Sequence, residues 1–104
     1  MDLCSGHGTF VHFLAGFSSE IWCLEKETAL FKHENYRQNK LKLFGGDINH
    51  YMTYLKKYHP QQKFDVVVLN WATCFVEDLD TFFADLKGLL SSKAFIFIKE
   101  NFDN

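Results

Sequence analysis

The stretch Asp2-Leu3-Cys4-Ser5-Gly6-His7-Gly8-Thr9-Phe10 constrains this chain most. An acidic residue sits in a short apolar segment, and small residues with two glycines follow. Phe10, Phe13, Leu14 and Phe17 then recur at i, i+3, i+4 and i+7. That order predicts the tail of a strand, a tight turn and a helix with one apolar face. Glycine admits positive φ and lets a ligand approach the backbone. A helix start adds unpaired N–H groups and a partial positive charge. At the carboxyl end of a parallel strand, such a turn suits a nucleotide-like ligand.

The rest of the chain repeats the strand–helix alternation. Ile21-Trp22-Cys23-Leu24 reads as a buried strand closing on Glu25. Residues 28–37 read as a helix with a polar outer face, and 41–44 as a strand near a sheet edge. Gly45-Gly46-Asp47 is a turn. Tyr51, Met52, Tyr54, Leu55 and Tyr58 mark a short helix stopped by Pro60. Residues 64–69 form the strongest strand, since Val66-Val67-Val68-Leu69 is continuously apolar, as when helices cover both faces. Leu79, Phe82, Phe83, Leu86 and Leu90 mark an amphipathic helix, and residues 94–98 a fifth strand that would be a bare apolar edge. Strand–helix alternation implies right-handed crossovers. The expected architecture is therefore α/β: a Rossmann-like doubly wound parallel sheet of about five strands, helices on both faces, in one domain over residues 1–104.

Composition narrows the partners. A net charge of −2 leaves no electrostatic footprint for nucleic acid. No apolar run approaches the ~18 residues of a membrane span. Cys4, Cys23 and Cys74 form neither a disulfide framework nor a zinc pattern, and the five histidines lack ligand spacing, so no metal is expected. The expected compartment is intracellular and reducing: the cytoplasm, or the nucleus.

Chemistry concentrates at the strand ends. The 5–10 turn, Glu25, Asp47 and Asn70 each follow a predicted strand, where the ligand crevice of an open α/β sheet lies. Singly they are weak, because a Gly-x-Gly turn can be a plain connection and an acidic residue after a strand can be a helix cap. Glu25 lies about 20 residues past the glycine turn, where a carboxylate accepts from a ribose diol. A dinucleotide fingerprint needs a third glycine, and Val11 stands in its place. Asp2 and the acidic end of the second strand fit S-adenosylmethionine better.

Asp2-Leu3-Cys4-Ser5-Gly6-His7-Gly8 resembles the first motif of class I S-adenosylmethionine-dependent methyltransferases. Phe64-Asp65-Val66-Val67-Val68-Leu69-Asn70-Trp71, then Leu86-Lys87-Gly88-Leu89-Leu90, then Ile96-Phe97-Ile98-Lys99-Glu100-Asn101 resembles the alpha N-terminal protein methyltransferases. Those enzymes methylate the free α-amine of proteins beginning Xaa-Pro-Lys. The resemblance implies that Cys4, Gly6, Gly8 and Thr9 line the methionine moiety. It implies Glu25, Lys26 and Glu27 at the ribose, Asp47 and Ile48 at the adenine, and Asn70 at the amino-acid end. Trp71 and Asn101 match positions bordering the substrate's N-terminus, where a Trp attracts a cationic amine.

Four departures predict weaker cofactor binding: Cys4 replaces the family's first glycine, Thr9 an arginine, Asn70 a glutamine and Glu25 an aspartate. The resemblance covers the middle of the family's domain, so the chain is expected to be shortened at both ends. Segments that would close over the cofactor and supply a catalytic base are not matched. Glu100 is the nearest carboxylate, and the catalytic residue is unassigned. The same core also serves small-molecule methyltransferases, and a degenerate core would only bind a partner. Oligomeric state is not indicated.

Overall fold

In the computed structural model, which describes residues 1–100, five strands form one parallel sheet in the order β3-β2-β1-β4-β5. They are β1 (Asp2–Leu3), β2 (Ile21–Glu25), β3 (Leu41–Gly45), β4 (Phe64–Asn70) and β5 (Leu90–Lys99). The helices are α1 (Thr9–Leu14), α2 (Ile48–Tyr58) and α3 (Leu79–Lys87). The chain runs outward from β1 to β3, then returns to place β4 on the other side of β1. That reversal is the switch point at which open α/β sheets bind ligands. Asp2 is registered between Cys23 and Val68, and Leu3 between Leu24 and Leu69, so the two-residue β1 is central.

Alternation along the central strands divides the core. Leu3, Trp22, Leu24, Val67 and Leu69 pack with Ile48, Tyr51, Met52 and Leu55 of α2 and Phe82 and Leu86 of α3. On the opposite face Ile21, Cys23 and Val68 pack with Val11 and Leu14 of α1 and with Tyr36. Helices on both faces explain why β2 is buried along its whole length.

Three elements depart from the sequence reading. Leu90, read as the last apolar position of the third helix, instead begins β5 and pairs with Phe64, because α3 ends at Lys87. Residues 28–37 do not form one helix. They make two 3₁₀ turns, Thr28–Lys32 and Glu34–Tyr36, separated by His33 in extended backbone (φ −62°, ψ 145°). The His33 ring Nδ1 accepts from the Asn35 N–H at 3.1 Å, a local side-chain cap that competes with helix continuation. The first helix is also shorter than its periodicity suggested. Val11 and Leu14 face the sheet, whereas Phe13 and Phe17 stay about two-thirds exposed and pack ring against ring at 5.4 Å. With fewer than two turns, α1 buries only Val11 and Leu14 against the sheet, and Phe10 packs at the margin of that cluster.

The edges follow the expectation. β3 and β5 are the outer strands. Phe95, Ile96, Phe97 and Ile98 of β5 remain exposed, Phe95 most of all at 74%. Phe97 meets Phe10 at 5.9 Å, the one aromatic contact recorded for this run among the described residues.

Candidate functional site

The β1–α1 turn is built from left-handed backbone. Cys4, Gly6 and Gly8 have φ of 64°, 56° and 81°. Cys4 thus occupies a conformation that glycine adopts freely and other residues adopt at a cost. The two glycines serve different ends. A Cβ at Gly6 would meet nothing within 4 Å, leaving the backbone open to a ligand. A Cβ at Gly8 would stand 3.0 Å from the Tyr36 ring and 3.1 Å from Asn35, so Gly8 is glycine for packing. Gly8 is buried and does not line the crevice, contrary to the role expected for it.

Glu25 ties the turn to β2. Its Oε1 accepts from the Gly6 N–H at 2.9 Å and its Oε2 from the Glu27 N–H at 2.7 Å. The carboxylate is 9% exposed and retains lone pairs for further donors. Asp47 caps α2, its Oδ1 accepting from the Asn49 backbone N–H at 2.8 Å. That bond, with one from the Asn49 side chain, holds the Asp47 carboxyl below its ordinary range.

Two adjoining hollows open at the carboxyl ends of the strands. One, of about 510 Å³, is lined by Cys4, Glu25, Lys26, Glu27, Asp47 and Ile48, among others. The other, of about 320 Å³, is lined by Asp2, Cys4, Gly6, Thr9, Asn70 and Trp71, among others. Cys4, Glu25 and Phe75 border both. The strand tips therefore converge as the sequence implied, and every expected site residue except Gly8 and Asn101 lines one hollow or the other. Asn101 lies outside the described residues.

The smaller hollow carries a polar deficit. Asp2 is 1% exposed, and neither carboxylate oxygen has a hydrogen-bond partner among the described residues. The Asn70 Oδ1 is buried and unpartnered in the same way. Burial pushes the Asp2 carboxyl up to about 7 against the opposing pull of the Met1 α-ammonium, and the nearby Glu25 carboxylate adds to the rise. Buried polar atoms of this kind are normally satisfied, so an unpartnered cluster calls for a donor. Burial also pushes the Cys4 thiol up to about 12, which keeps it protonated and poorly nucleophilic.

Several contributors carried no sequence signal. The Tyr36 hydroxyl donates to the Gly6 carbonyl at 2.6 Å and lies 2.7 Å from Ser5 Oγ, buttressing the turn from 30 residues away. Asn49 donates to the Phe75 carbonyl and accepts from the Glu77 N–H, fixing the loop that carries Phe75 over the hollows. Trp71, which the sequence did single out, follows β4 with φ 58° and is 44% exposed at the rim. Glu100 is not placed as a base. Its Oε1 accepts from the backbone N–H of Thr73 at 3.0 Å and from the Thr73 hydroxyl, so it caps the turn after β4.

A family model described as a methyltransferase domain matches residues 1–98. No curated protein sequence matches the chain. Among solved structures, the DhpI–SAH complex is similar at 14% identity and a TM-score of 0.72, covering 93% of this chain and 46% of that one. A phosphoethanolamine N-methyltransferase 1 from Haemonchus contortus, solved with phosphoethanolamine and S-adenosylhomocysteine, is similar at 18% identity and a TM-score of 0.77. It covers 95% of this chain and 21% of that one. The chain thus spans less than half the length of these solved relatives, and at such identities the likeness establishes the fold.

Proposed function

The chain belongs to the methyltransferase domain family, and on that premise we propose that its paired hollows hold S-adenosylmethionine for methyl transfer to an amine. The acceptor we propose is the free α-amine of a protein beginning Xaa-Pro-Lys, which places the work in the cytoplasm or nucleus. One observation carries the cofactor assignment: the Asp2 carboxylate and Asn70 carbonyl oxygen beside the glycine turn, which have no partner among the described residues. They are acceptors, and the methionine end of the cofactor brings an ammonium donor. Glu25 retains lone pairs for the ribose hydroxyls, while Asp47 and Ile48 border the larger hollow, where a base fits.

Bound there, the cofactor would supply an electrophilic methyl on a sulfonium, whose neutral thioether is a good leaving group without acid catalysis. The protein's task is then proximity and alignment. Trp71 presents an aromatic face at the rim, and such a face attracts a cationic amine on approach. An α-amine has a pKa near ~7.7–8.0, so the neutral nucleophile is available in quantity only at or above neutrality.

The test is calorimetry of the full chain with S-adenosylhomocysteine, followed by labelled methyl transfer to Xaa-Pro-Lys peptides and to phosphoethanolamine. Binding with label on the peptide α-amine supports both parts of the reading. Label on the small amine alone replaces the acceptor, a reading favoured by the solved phosphoethanolamine enzyme. Absence of binding refutes the cofactor assignment and favours a non-catalytic binding domain.

A further inference from the structure

We infer that the outer edge of β5 pairs with the same edge of a second copy of this chain, antiparallel about a two-fold axis at Phe97, joining the two sheets edge to edge. This surface lies apart from the strand-tip hollows and does not rest on the cofactor assignment. The backbone prepares the edge. The Trp71 N–H donates to the Lys99 carbonyl at 2.9 Å, so the peptide groups of Lys99 turn toward β4. Alternation along the strand turns those of Phe95 and Phe97 the same way and those of Ile96 and Ile98 outward. Among the described residues no strand lies beyond β5, so these outward N–H and C=O groups are a template for a further strand. In an antiparallel pair Ile96 exchanges both hydrogen bonds with the second copy's Ile98, and Ile98 with its Ile96.

The side chains fit a second copy. The register with β4 is regular over Phe95–Lys99, and Phe97 is the middle residue of that stretch. Pairing centred there sets Phe97 opposite itself, Ile96 opposite Ile98, and Phe95 opposite Lys99, whose stem and charge an aromatic ring receives. No like charges meet. Centring on Ile96 instead would carry Lys93 toward Lys99 on both sides of the axis, which is destabilising. Phe95 and Phe97 are exposed on one face of the edge, Ile96 and Ile98 on the other. A helix laid on one face would cover half of this surface, whereas a strand added to the edge shields both. With Phe95 74% and Phe97 55% exposed, the two rings offer about 250 Å² per copy. That is less than the ~800 Å² per partner of a standard interface, so the dimer belongs to the weak, concentration-dependent class.

Sedimentation velocity of the full chain across the micromolar range tests the pairing. The wild-type mass should double as concentration rises. Phe97→Lys and Phe97→Glu should each stay monomeric where wild type is a dimer, because each sets like charges opposite each other on the axis. Their equimolar mixture should recover the dimer. Urea midpoints establish that the variants are folded. Should either fail to fold, Ile96→Pro removes an outward N–H, leaves the ladder to β4 intact and should abolish the dimer in the same way. A wild type that is monomeric throughout overturns the inference and leaves the edge to another occupant. Growth beyond the dimer also overturns it, since a two-fold contact closes at two copies. So does a dimer that persists in Phe97→Lys, or a mixture no more associated than its components.

Discussion

The Tyr36 hydroxyl donates to the Gly6 carbonyl at 2.6 Å, so a residue in a 3₁₀ turn after β2 sets the shape of the loop after β1. The same phenol lies 2.7 Å from Ser5 Oγ, and burial pushes its own ionisation up to about 12. A protonated, hydrogen-bonded phenol beneath the turn holds the Gly6 N–H on Glu25.

Tyr36→Phe keeps the ring against Gly8 and removes both polar contacts. Leaving the Gly6 carbonyl short of a donor should lower stability by about 1–2 kcal/mol. Urea denaturation measures this, and S-adenosylhomocysteine affinity should fall severalfold in parallel. A variant as stable as wild type would show that the phenol contributes nothing to the turn.

Cys4 has φ 64°, and its substitution separates strain from packing. Left-handed backbone costs a non-glycine residue about 1–2 kcal/mol, whereas a new glycine adds about 0.5–1 kcal/mol of unfolded-chain entropy. Cys4→Gly should therefore be neutral to mildly stabilising despite losing a side chain. Cys4→Val, β-branched, should lower the melting temperature clearly. The reverse order of melting temperatures would refute the strain argument.

Gly45 ends β3 where an added Cβ would lie 2.5 Å from Thr28 Cγ2. Gly45→Ala should cost about 1–3 kcal/mol through overpacking. Thr28→Ser removes the offending methyl and should restore most of that loss in the double variant. Additive losses in the thermodynamic cycle would place the cost elsewhere.

Asp2 gives the fold a pH dependence of known sign. Its carboxyl titrates at about 7 when folded, against an ordinary value of 3.8. The folded state therefore binds the proton more tightly, and its contribution is full below the ordinary value. That contribution is lost as pH rises through about 7, amounting to roughly 4 kcal/mol. Asp2→Asn should remove this loss, becoming more stable than wild type at pH 8 while differing little at pH 4. Urea midpoints of the two proteins across that range decide it, and a pH-independent difference would refute the burial argument.

Much of this arrangement was legible in the chain. The apolar run 66–69, the glycine turn and the polar residues closing each strand fix a parallel sheet by local pattern, because period and turn chemistry are local properties. The same pattern brought Glu25, Asp47 and Asn70 to one end of the sheet. Periodicity misassigned residues 28–37, where the His33 ring caps its own turn and interrupts the helix.

What only the tertiary structure decided depends on contacts between distant residues. That Gly8 is glycine for Tyr36, that Glu100 caps Thr73, and that Asp2 is buried with no partner among the described residues are relations across the chain. No spacing rule encodes them, because each arises when crossovers bring separate elements together. Sequence determined the sheet and its polar end; packing decided which of those polar groups are already satisfied among the described residues and which are not.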